Sequence, residues 1–232
     1  MAIKQNESAL MQSKKTYWLP NIPHFLAKQA CHPKGLFGRL FGKAMNKMNK
    51  ESNQWVLTML NLNTNDKVLE VGYGPGDGIN RLSQIVTDGF IAGIDYSETM
   101  YHSAKSKNKQ AIERGLVELS VGDAEKLPYE SNFFDSMFCV HVLYFWQDPI
   151  SVLKELIRTL KPAGKIALFI GDKEEMSGIK LTQTGVYNLY TLEEIVELLE
   201  ESGFINVHYF QKCMSTGPLS QGICIVGEKA PC

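Results

Sequence analysis

Four closely spaced glycines behind a short apolar run give this sequence its clearest chemical signal. The glycines stand at positions 72, 74, 76 and 78, and the apolar run covers residues 68–71. The run predicts a short buried strand, the glycines predict a tight reversal after it, and residues 79–86 predict a helix. Backbone N–H groups of such a loop and of the following helix face the same place. The arrangement is typical of a site that binds a nucleotide.

The spacing of the glycines argues against two common nucleotide sites. A dinucleotide loop needs Gly-x-Gly-x-x-Gly, but Asp77 or Ile79 occupies the last position when the pattern starts at Gly72 or Gly74. A P-loop needs Lys and then Ser or Thr after its last glycine, and neither follows here. Asp77 would also repel a pyrophosphate group. The loop therefore suits a nucleoside ligand that carries no phosphate.

Acidic residues end the predicted strands that follow. Residues 90–95 predict a second strand, which ends in Asp95, and residues 117–123 predict a third, which ends in Asp123. Asp95 can accept hydrogen bonds from both hydroxyls of a ribose, and Asp123 can accept one from an adenine amino group. Because open α/β sheets bind ligands at the carboxyl ends of their strands, we expect the two acids to lie at one site.

This ordered set of strands, glycines and acids resembles the class I S-adenosylmethionine (SAM)-dependent methyltransferases. The resemblance is closest to their small-molecule branch, which includes the ubiquinone- and menaquinone-biosynthesis methyltransferases. It is carried by residues 68–76, 93–97, 122–128, 134–135 and 155–164. It implies an α/β fold: a Rossmann-like doubly wound sheet of seven strands in the order 3-2-1-4-5-7-6, the last strand antiparallel, with an N-terminal helical cap. The remaining strands are predicted at residues 134–141, 164–170, 204–210 and 222–226.

The resemblance also implies a methyl donor and its contacts. SAM is the expected donor and S-adenosylhomocysteine (SAH) the product. Carried over by position, Gly72, Gly74 and Gly76 lie under the methionine part of SAM, Asp95 binds the ribose, and Asp123 with Ala124 lies at the adenine. The further contacts expected by position are Glu70, Tyr73, Tyr96, Met100, Val140 and His141. The chain departs from the family pattern twice, with Ala163 where glycine is usual and Val140-His141 where an Asn is frequent.

His141 and the aromatic residues after it are the candidates for chemistry on the acceptor. An imidazole beside the methyl group could serve as a general base, and it could equally pack its ring against the cofactor. Tyr144, Phe145 and Trp146 predict a substrate wall, since aromatic rings attract a sulfonium, or the core packing of a following helix. Residues 172–187 predict a substrate-side insertion or a flexible loop.

Charge is distributed unevenly along the chain. The first fifty residues hold nine Lys or Arg and one acid, although the net charge is −1. We expect a basic helical arm or cap over residues 1–53 and a SAM-binding methyltransferase domain over residues 54–232. Residues 36–48 combine apolar helical spacing with a basic residue at every fourth position, so this helix could pack its apolar face on the acidic domain or make weak contact with a membrane surface. Tyr17 and Trp18 could close over the ligand or anchor the arm.

Composition limits the remaining properties. No apolar run approaches about 20 residues, the length of a membrane span. The start lacks the apolar core of a signal peptide, and the five cysteines show no paired spacing. We expect a cytoplasmic protein without a metal site, acting as a monomer or homodimer, and no nucleic acid as partner, because the domain is acidic. The predicted function is methyl transfer from SAM to a small-molecule acceptor; an NAD-dependent oxidoreductase and a SAM-binding protein with lost or altered chemistry stay as alternatives.

Overall fold

Seven strands form one sheet in the computed structural model, which describes residues 24–231. In chain order they are β1 (Lys67–Val71), β2 (Phe90–Asp95), β3 (Val117–Val121), β4 (Phe134–Val140), β5 (Leu160–Gly171), β6 (Phe204–Cys213) and β7 (Gln221–Lys229). Their order across the sheet is β3-β2-β1-β4-β5-β7-β6. β1 to β5 pair in parallel, whereas β7 runs antiparallel to both of its neighbours. The predicted fold and strand order are confirmed.

Helices cover both faces of this sheet. They are α1 (His24–Cys31), α2 (Gly35–Met48), α3 (Lys50–Leu60), α4 (Asp77–Leu82), α5 (Glu98–Lys107), α6 (Lys109–Glu113), α7 (Pro149–Thr159), α8 (Lys173–Ser177) and α9 (Leu192–Glu201). Short 3-10 turns span Leu143–Phe145 and Thr182–Thr184. No described helix is long and apolar enough to cross a membrane.

Two apolar layers hold the sheet between these helices. Successive residues of a strand point to opposite faces, so Val68 and Leu69 of β1 belong to different layers, and both are fully buried. One layer packs under α7 and α9, and the other under α3 and α4. β1 pairs with β2 on one side and with β4 on the other. The carboxyl ends of these three strands therefore lie side by side.

The helix after the glycine loop differs from the prediction. It covers Asp77–Leu82 rather than residues 79–86. Gly76, at φ 84, turns the chain into it, and an acid in the first turn suits the positive end of a helix. It ends early because the chain tightens, with the N–H groups of Gln84 and Ile85 donating to carbonyls only three residues back.

α2 packs on the domain through its small residues. Gly38 and Gly42 are buried, and a Cβ added at Gly42 would lie 2.8 Å from the sulfur of Met100 on α5. Leu36, Phe37 and Leu40 are instead exposed. The interpretation in which this helix packs its apolar face on the domain is therefore wrong for these three residues, because the glycine side allows the closer approach to α5.

Candidate active site

A cavity of about 650 Å³ opens at the carboxyl edge of the sheet. The glycine loop between β1 and α4 forms one end, together with residues after β2, β3 and β4. The other end is formed by the 3-10 turn Leu143–Phe145, residues of α2 and the segments after β5 and β6. The volume is in the range of pockets that bury a drug-sized ligand. We refer to these as the glycine-loop end and the far end.

Two glycines of the loop have a backbone conformation that disfavours a side chain. Gly72 lies at φ 71, its N–H donates to the carbonyl of Ile94 at 2.7 Å, and a Cβ here would collide with Val142. Gly74 lies at φ 51, and a Cβ added there would meet nothing within 4 Å. Since both have left-handed backbone, both favour glycine. The open space beside Gly74 leaves its backbone free to contact a ligand.

Asp95 ties the loop to the end of β2. Its Oδ2 accepts the N–H of Gly74 at 2.8 Å and its Oδ1 accepts the N–H of Ser97 at 2.9 Å. Burial raises the pKa of Asp95 to about 6, while these two hydrogen bonds act in the opposite direction. Each carboxylate oxygen keeps a further lone pair for a ligand. Asp95 thus holds the loop and can accept hydrogen bonds from the cavity.

Glu70 is a second buried acid beneath the loop. It is almost fully buried, and its Oε2 has no hydrogen-bond partner among the described residues. Burial raises its pKa well above the usual range, and the negative charges of Asp95 and Asp77 add to the effect. A buried, partly unsatisfied acid costs free energy unless something compensates it. A positively charged ligand would compensate both Glu70 and Asp95.

The other residues expected at the cofactor also line the cavity. Met100, Ala124 and Val140 are buried, and Asp123 and Tyr96 are exposed. Tyr73 is buried too, and its hydroxyl donates to the carbonyl of Ser120 at 3.0 Å. Of the twelve residues that the sequence predicts at the cofactor, eleven line one cavity: Glu70, Gly72, Tyr73, Gly74, Asp95, Tyr96, Met100, Asp123, Ala124, Val140 and His141. The twelfth, Gly76, packs on Asn108 and Ala104 behind the loop.

His141 follows β4 in a left-handed conformation, at φ 58. Its ring meets Phe169 edge-on at 4.9 Å, and its Nδ1 lies 3.4 Å from the hydroxyl of Tyr144. That hydroxyl oxygen already accepts the N–H of Gly171 at 2.6 Å, so its hydrogen is available to His141 Nδ1. A neutral imidazole that accepts at Nδ1 carries its proton at Nε2. Burial lowers the pKa of His141 to about 4, so the ring is neutral at pH 7.

The far end of the cavity is apolar and aromatic. Tyr144, Phe145 and Trp146 all line it, and Tyr187 packs against Phe145 at 4.8 Å. The segment predicted as a substrate-side insertion supplies this tyrosine. Other apolar walls here come from Met45, Met48, Met176, Ile179, Leu181 and Leu219. Sequence reasoning missed Pro218 and Leu219, for which the Thr216-Gly-Pro218 turn was the only signal.

Two glutamates fasten the loop that carries Leu219. Glu51 of α3 accepts the N–H of Ser215 at 2.8 Å and its hydroxyl at 2.7 Å. Glu175 of α8 accepts the N–H of Ser220 at 2.8 Å and also its hydroxyl. The hydrogen bonds from Ser215 are the main reason why the pKa of Glu51 falls to about 2. The loop between β6 and β7 is thereby held at both ends against the cavity.

The charge of the cavity has one sign. Glu70, Asp95, Asp123 and Glu125 line it, and none of the described lining residues is Lys or Arg. Between residues 24 and 231 no group of His, Cys, Asp and Glu is arranged to hold a metal ion. Tyr17 and Trp18, predicted to cover the ligand, lie outside the described residues.

A sheet of this order, with a glycine loop under an acidic cavity and no lysine for phosphate, defines the class of SAM-dependent methyltransferases. A family model described as a methyltransferase domain matches residues 69–168. The chain is 33% identical over 133 residues to "Uncharacterized methyltransferase YdaC" of Bacillus subtilis (strain 168), covering 57% of this chain and 71% of that protein. It is 30% identical over 175 residues to demethylmenaquinone methyltransferase of Bacillus mycoides (strain KBAB4), covering 75% and 73%.

A solved structure shares the fold. It is phosphoethanolamine N-methyltransferase 2 of Haemonchus contortus, in complex with phosphomonomethylethanolamine and SAH, with a TM-score of 0.70 and 17% identity over 84% of this chain and 58% of that chain. The chain belongs to the class I SAM-dependent methyltransferases and transfers a methyl group from SAM to an acceptor. The predicted methyl transfer is confirmed, and the NAD-dependent alternative is wrong.

Proposed function

We propose that the acceptor is an uncharged, largely apolar small molecule with an aromatic ring. The observation that carries this proposal is the far end of the cavity, which is aromatic and apolar and has no Lys or Arg among its described lining residues. A phosphate or carboxylate on the acceptor would need a cationic partner there. Because one relative is named a demethylmenaquinone methyltransferase, a quinol ring is the first acceptor to test.

The roles of the residues at the glycine-loop end belong to the same proposal. SAM supplies an electrophilic methyl group on a positively charged sulfur. The open backbone at Gly74 receives the methionine part, and Asp95 accepts hydrogen bonds from the ribose. The buried acids Glu70 and Asp95 favour a cationic ligand over an anionic one. These features fit SAM and disfavour a dinucleotide.

The residues of the far end align the acceptor and exclude water. Displacement at a sulfonium needs in-line alignment more than acid–base chemistry. Tyr144, Phe145 and Trp146 pack on the ring of the acceptor, next to the loop. His141 donates its Nε2 proton to a ring oxygen, because its Nδ1 is engaged by Tyr144. With a pKa near 4 it is a weaker proton acceptor than an ordinary histidine, so a donor role fits this environment better than the predicted general base.

A competition between acceptor classes tests the proposal. The full chain is incubated with SAM and, in turn, with a reduced naphthoquinone lacking one ring methyl, with phosphoethanolamine and with glycine, and mass spectrometry measures the gain of one methyl group. We expect the gain for the quinol alone. Methylation of phosphoethanolamine or glycine in preference to the quinol would contradict the proposal. The variant Asp95→Asn, which should bind SAM more weakly and methylate more slowly at limiting SAM, controls for non-enzymatic methylation.

Four properties stay predictions from the sequence. They are the division at residue 53 between an arm and a methyltransferase domain, the cytoplasmic location, the choice between monomer and homodimer, and the absence of a nucleic acid partner. Analytical ultracentrifugation of the full chain with and without SAH would decide the third.

A further inference from the structure

The outward side of α1 and α2 is an apolar surface with a basic border. Leu36 is 76% exposed, Leu40 58%, Phe25 52% and Phe37 44%. Phe25 and Phe37 contact each other with ring centroids 5.3 Å apart. Single exposed apolar residues are common, but a contiguous group is not. We call these four residues the outer apolar face.

Polar contacts on the opposite side fix the direction in which this face points. The hydroxyl of Ser97 donates to the carbonyl of Pro33 at 2.5 Å, and the N–H of Gly35 donates to the hydroxyl of Thr99 at 3.1 Å. Gly42 lies against Met100 of α5. The helix pair is therefore anchored to the domain by its small and polar side. The outer apolar face is left without a partner among the described residues.

The charge around the face is positive throughout. Residues 24–50 contain six Lys or Arg and no acid. None of the six forms an ion pair with a described residue. Arg39, Lys43 and Lys47 follow one another at intervals of four, which places them along one side of α2 next to Leu36 and Leu40. The rest of the chain carries more acid than base, so this charge is local.

The outer apolar face also leads to the cavity. Phe37 stacks on Phe41 with ring centroids 6.4 Å apart, and Phe41 lines the cavity. Met45 and Met48, further along α2, line it as well. One helix thus borders both the surface and the site.

We propose that the outer apolar face and the basic residues beside it dock the enzyme on an anionic lipid surface. Amphipathic helices with cationic borders bind at the interface of such membranes, with the apolar side chains among the acyl chains and the cations at the headgroups. The residues that insert are Phe25, Leu36, Phe37 and Leu40. This surface does not depend on which acceptor the enzyme uses.

Vesicle sedimentation with the full chain tests the proposal. The probes are vesicles of phosphatidylglycerol mixed with phosphatidylcholine, and vesicles of phosphatidylcholine alone. We expect binding to the anionic vesicles, weakened by salt, and much less to the neutral ones. Arg39→Gln and Lys43→Gln should each weaken binding about fivefold. Leu40→Ser should weaken it about tenfold or more.

Matched variants separate this surface from general stickiness. Phe210 on β6 is 46% exposed, close to the 44% of Phe37. Phe37→Ser should weaken vesicle binding, whereas Phe210→Ser and Lys154→Gln should leave it near the wild-type value. SAM-induced thermal shifts of all variants should match the wild type, which shows that the fold and the donor site are intact.

Four results would overturn the proposal. The first is that the protein does not bind anionic vesicles, and the second is that Phe210→Ser and Phe37→Ser weaken vesicle binding equally. The third is that vesicle binding requires removal of residues 1–23, and the fourth is that the wild-type protein does not bind vesicles but self-associates in a way that Leu40→Ser abolishes. The third would assign the face to the N-terminal segment of the same chain, and the fourth to a second copy. Loss of methyl transfer alone would contradict the proposed function and would not test the docking surface. The docking surface is tested by vesicle binding.

Discussion

SAM affinity should depend on pH through Asp95. The pKa of this carboxyl is raised from its ordinary value to about 6, chiefly by burial. A cationic ligand whose hydroxyls donate to the carboxylate stabilises the ionised form, so binding should lower that pKa again. Affinity should therefore rise as pH increases through about 6 and level off near pH 7.

The expected size follows from the pKa. At pH 5 only about one molecule in eleven of the free protein has an ionised Asp95, so the Kd for SAM should be about tenfold higher than at pH 7. At a SAM concentration of about one hundred times the neutral Kd, stabilisation by ligand should fall from about 2.7 to about 1.4 kcal/mol. Protonation of Asp95 itself favours the folded free protein as pH falls from about 6 toward the ordinary value. This stabilisation of the protonated free protein is the same effect that raises the Kd, so the SAM-induced rise in Tm should shrink by the amount given above.

Calorimetry at pH 5, 6 and 7 measures the effect, and two variants assign it. Asp95→Asn should bind SAM about 1.5–3 kcal/mol more weakly at pH 7, the usual contribution of hydrogen bonds to a charged group, and should lack the pH step. Glu70→Gln removes the other buried acid and should keep the step. SAH has the ribose but no sulfonium, so an equal step for SAH would show that Asp95 acts through the ribose hydroxyls. A step of unchanged size in Asp95→Asn, or none in the wild type, would refute the reasoning.

Three further predictions concern other parts of the structure. His141→Gln should retain more turnover than His141→Ala, because Gln keeps an N–H donor, whereas a general base would lose about 10²–10⁴ in both variants; steady-state kinetics with SAM saturating distinguishes the two. Glu51→Gln should destabilise the fold by about 1.5–3 kcal/mol above pH 4.5. The difference from the wild type should vanish as pH falls toward 2, since the pKa of Glu51 is depressed to about 2. Urea unfolding at several pH values measures this difference, and a difference that does not change with pH would contradict the role of the Glu51 charge. Ala163 lies at φ 60, so Ala163→Gly should raise the free energy of unfolding by about 1 kcal/mol. Ala44→Gly in α2, the matched control, should lower it by about 0.5–1 kcal/mol. A lower free energy of unfolding for Ala163→Gly would show that the backbone of Ala163 is not strained.

Most residues of the glycine-loop end could be predicted from sequence because they belong to the glycine loop or lie at the end of a strand. Gly72, Asp95 and Asp123 follow apolar runs directly, so the periodicity that finds the strands also finds these residues. The left-handed backbone of Ala163 could be read as well, since the resembled family has glycine there. Local pattern was enough for the first three residues, and Ala163 needed the resemblance as well.

The far end could not be predicted in the same way. His141 Nδ1 lies beside the hydroxyl of Tyr144, and that hydroxyl accepts the N–H of Gly171 on the next strand. These contacts join residues from different parts of the fold, so no periodicity in the sequence indicates them. The interpretation in which α2 packs its apolar face on the domain was also wrong for Leu36, Phe37 and Leu40. Hydrophobic spacing marks the apolar stripe, but the close approach permitted by Gly42 decided which side meets the domain.

The clamped loop between β6 and β7 has a consequence for how acceptor range can diversify. Its ends are held by Glu51 and Glu175, outside the segment that points Pro218 and Leu219 into the cavity. Substitutions at residues 218 and 219 can therefore alter the wall without shifting the strands or the glycine-loop end, whereas Gly217, at φ 87, should stay glycine. A library confined to the two wall positions would sample new acceptors on an unchanged methylating scaffold, and homologues that differ there are the first place to look for divergent substrates.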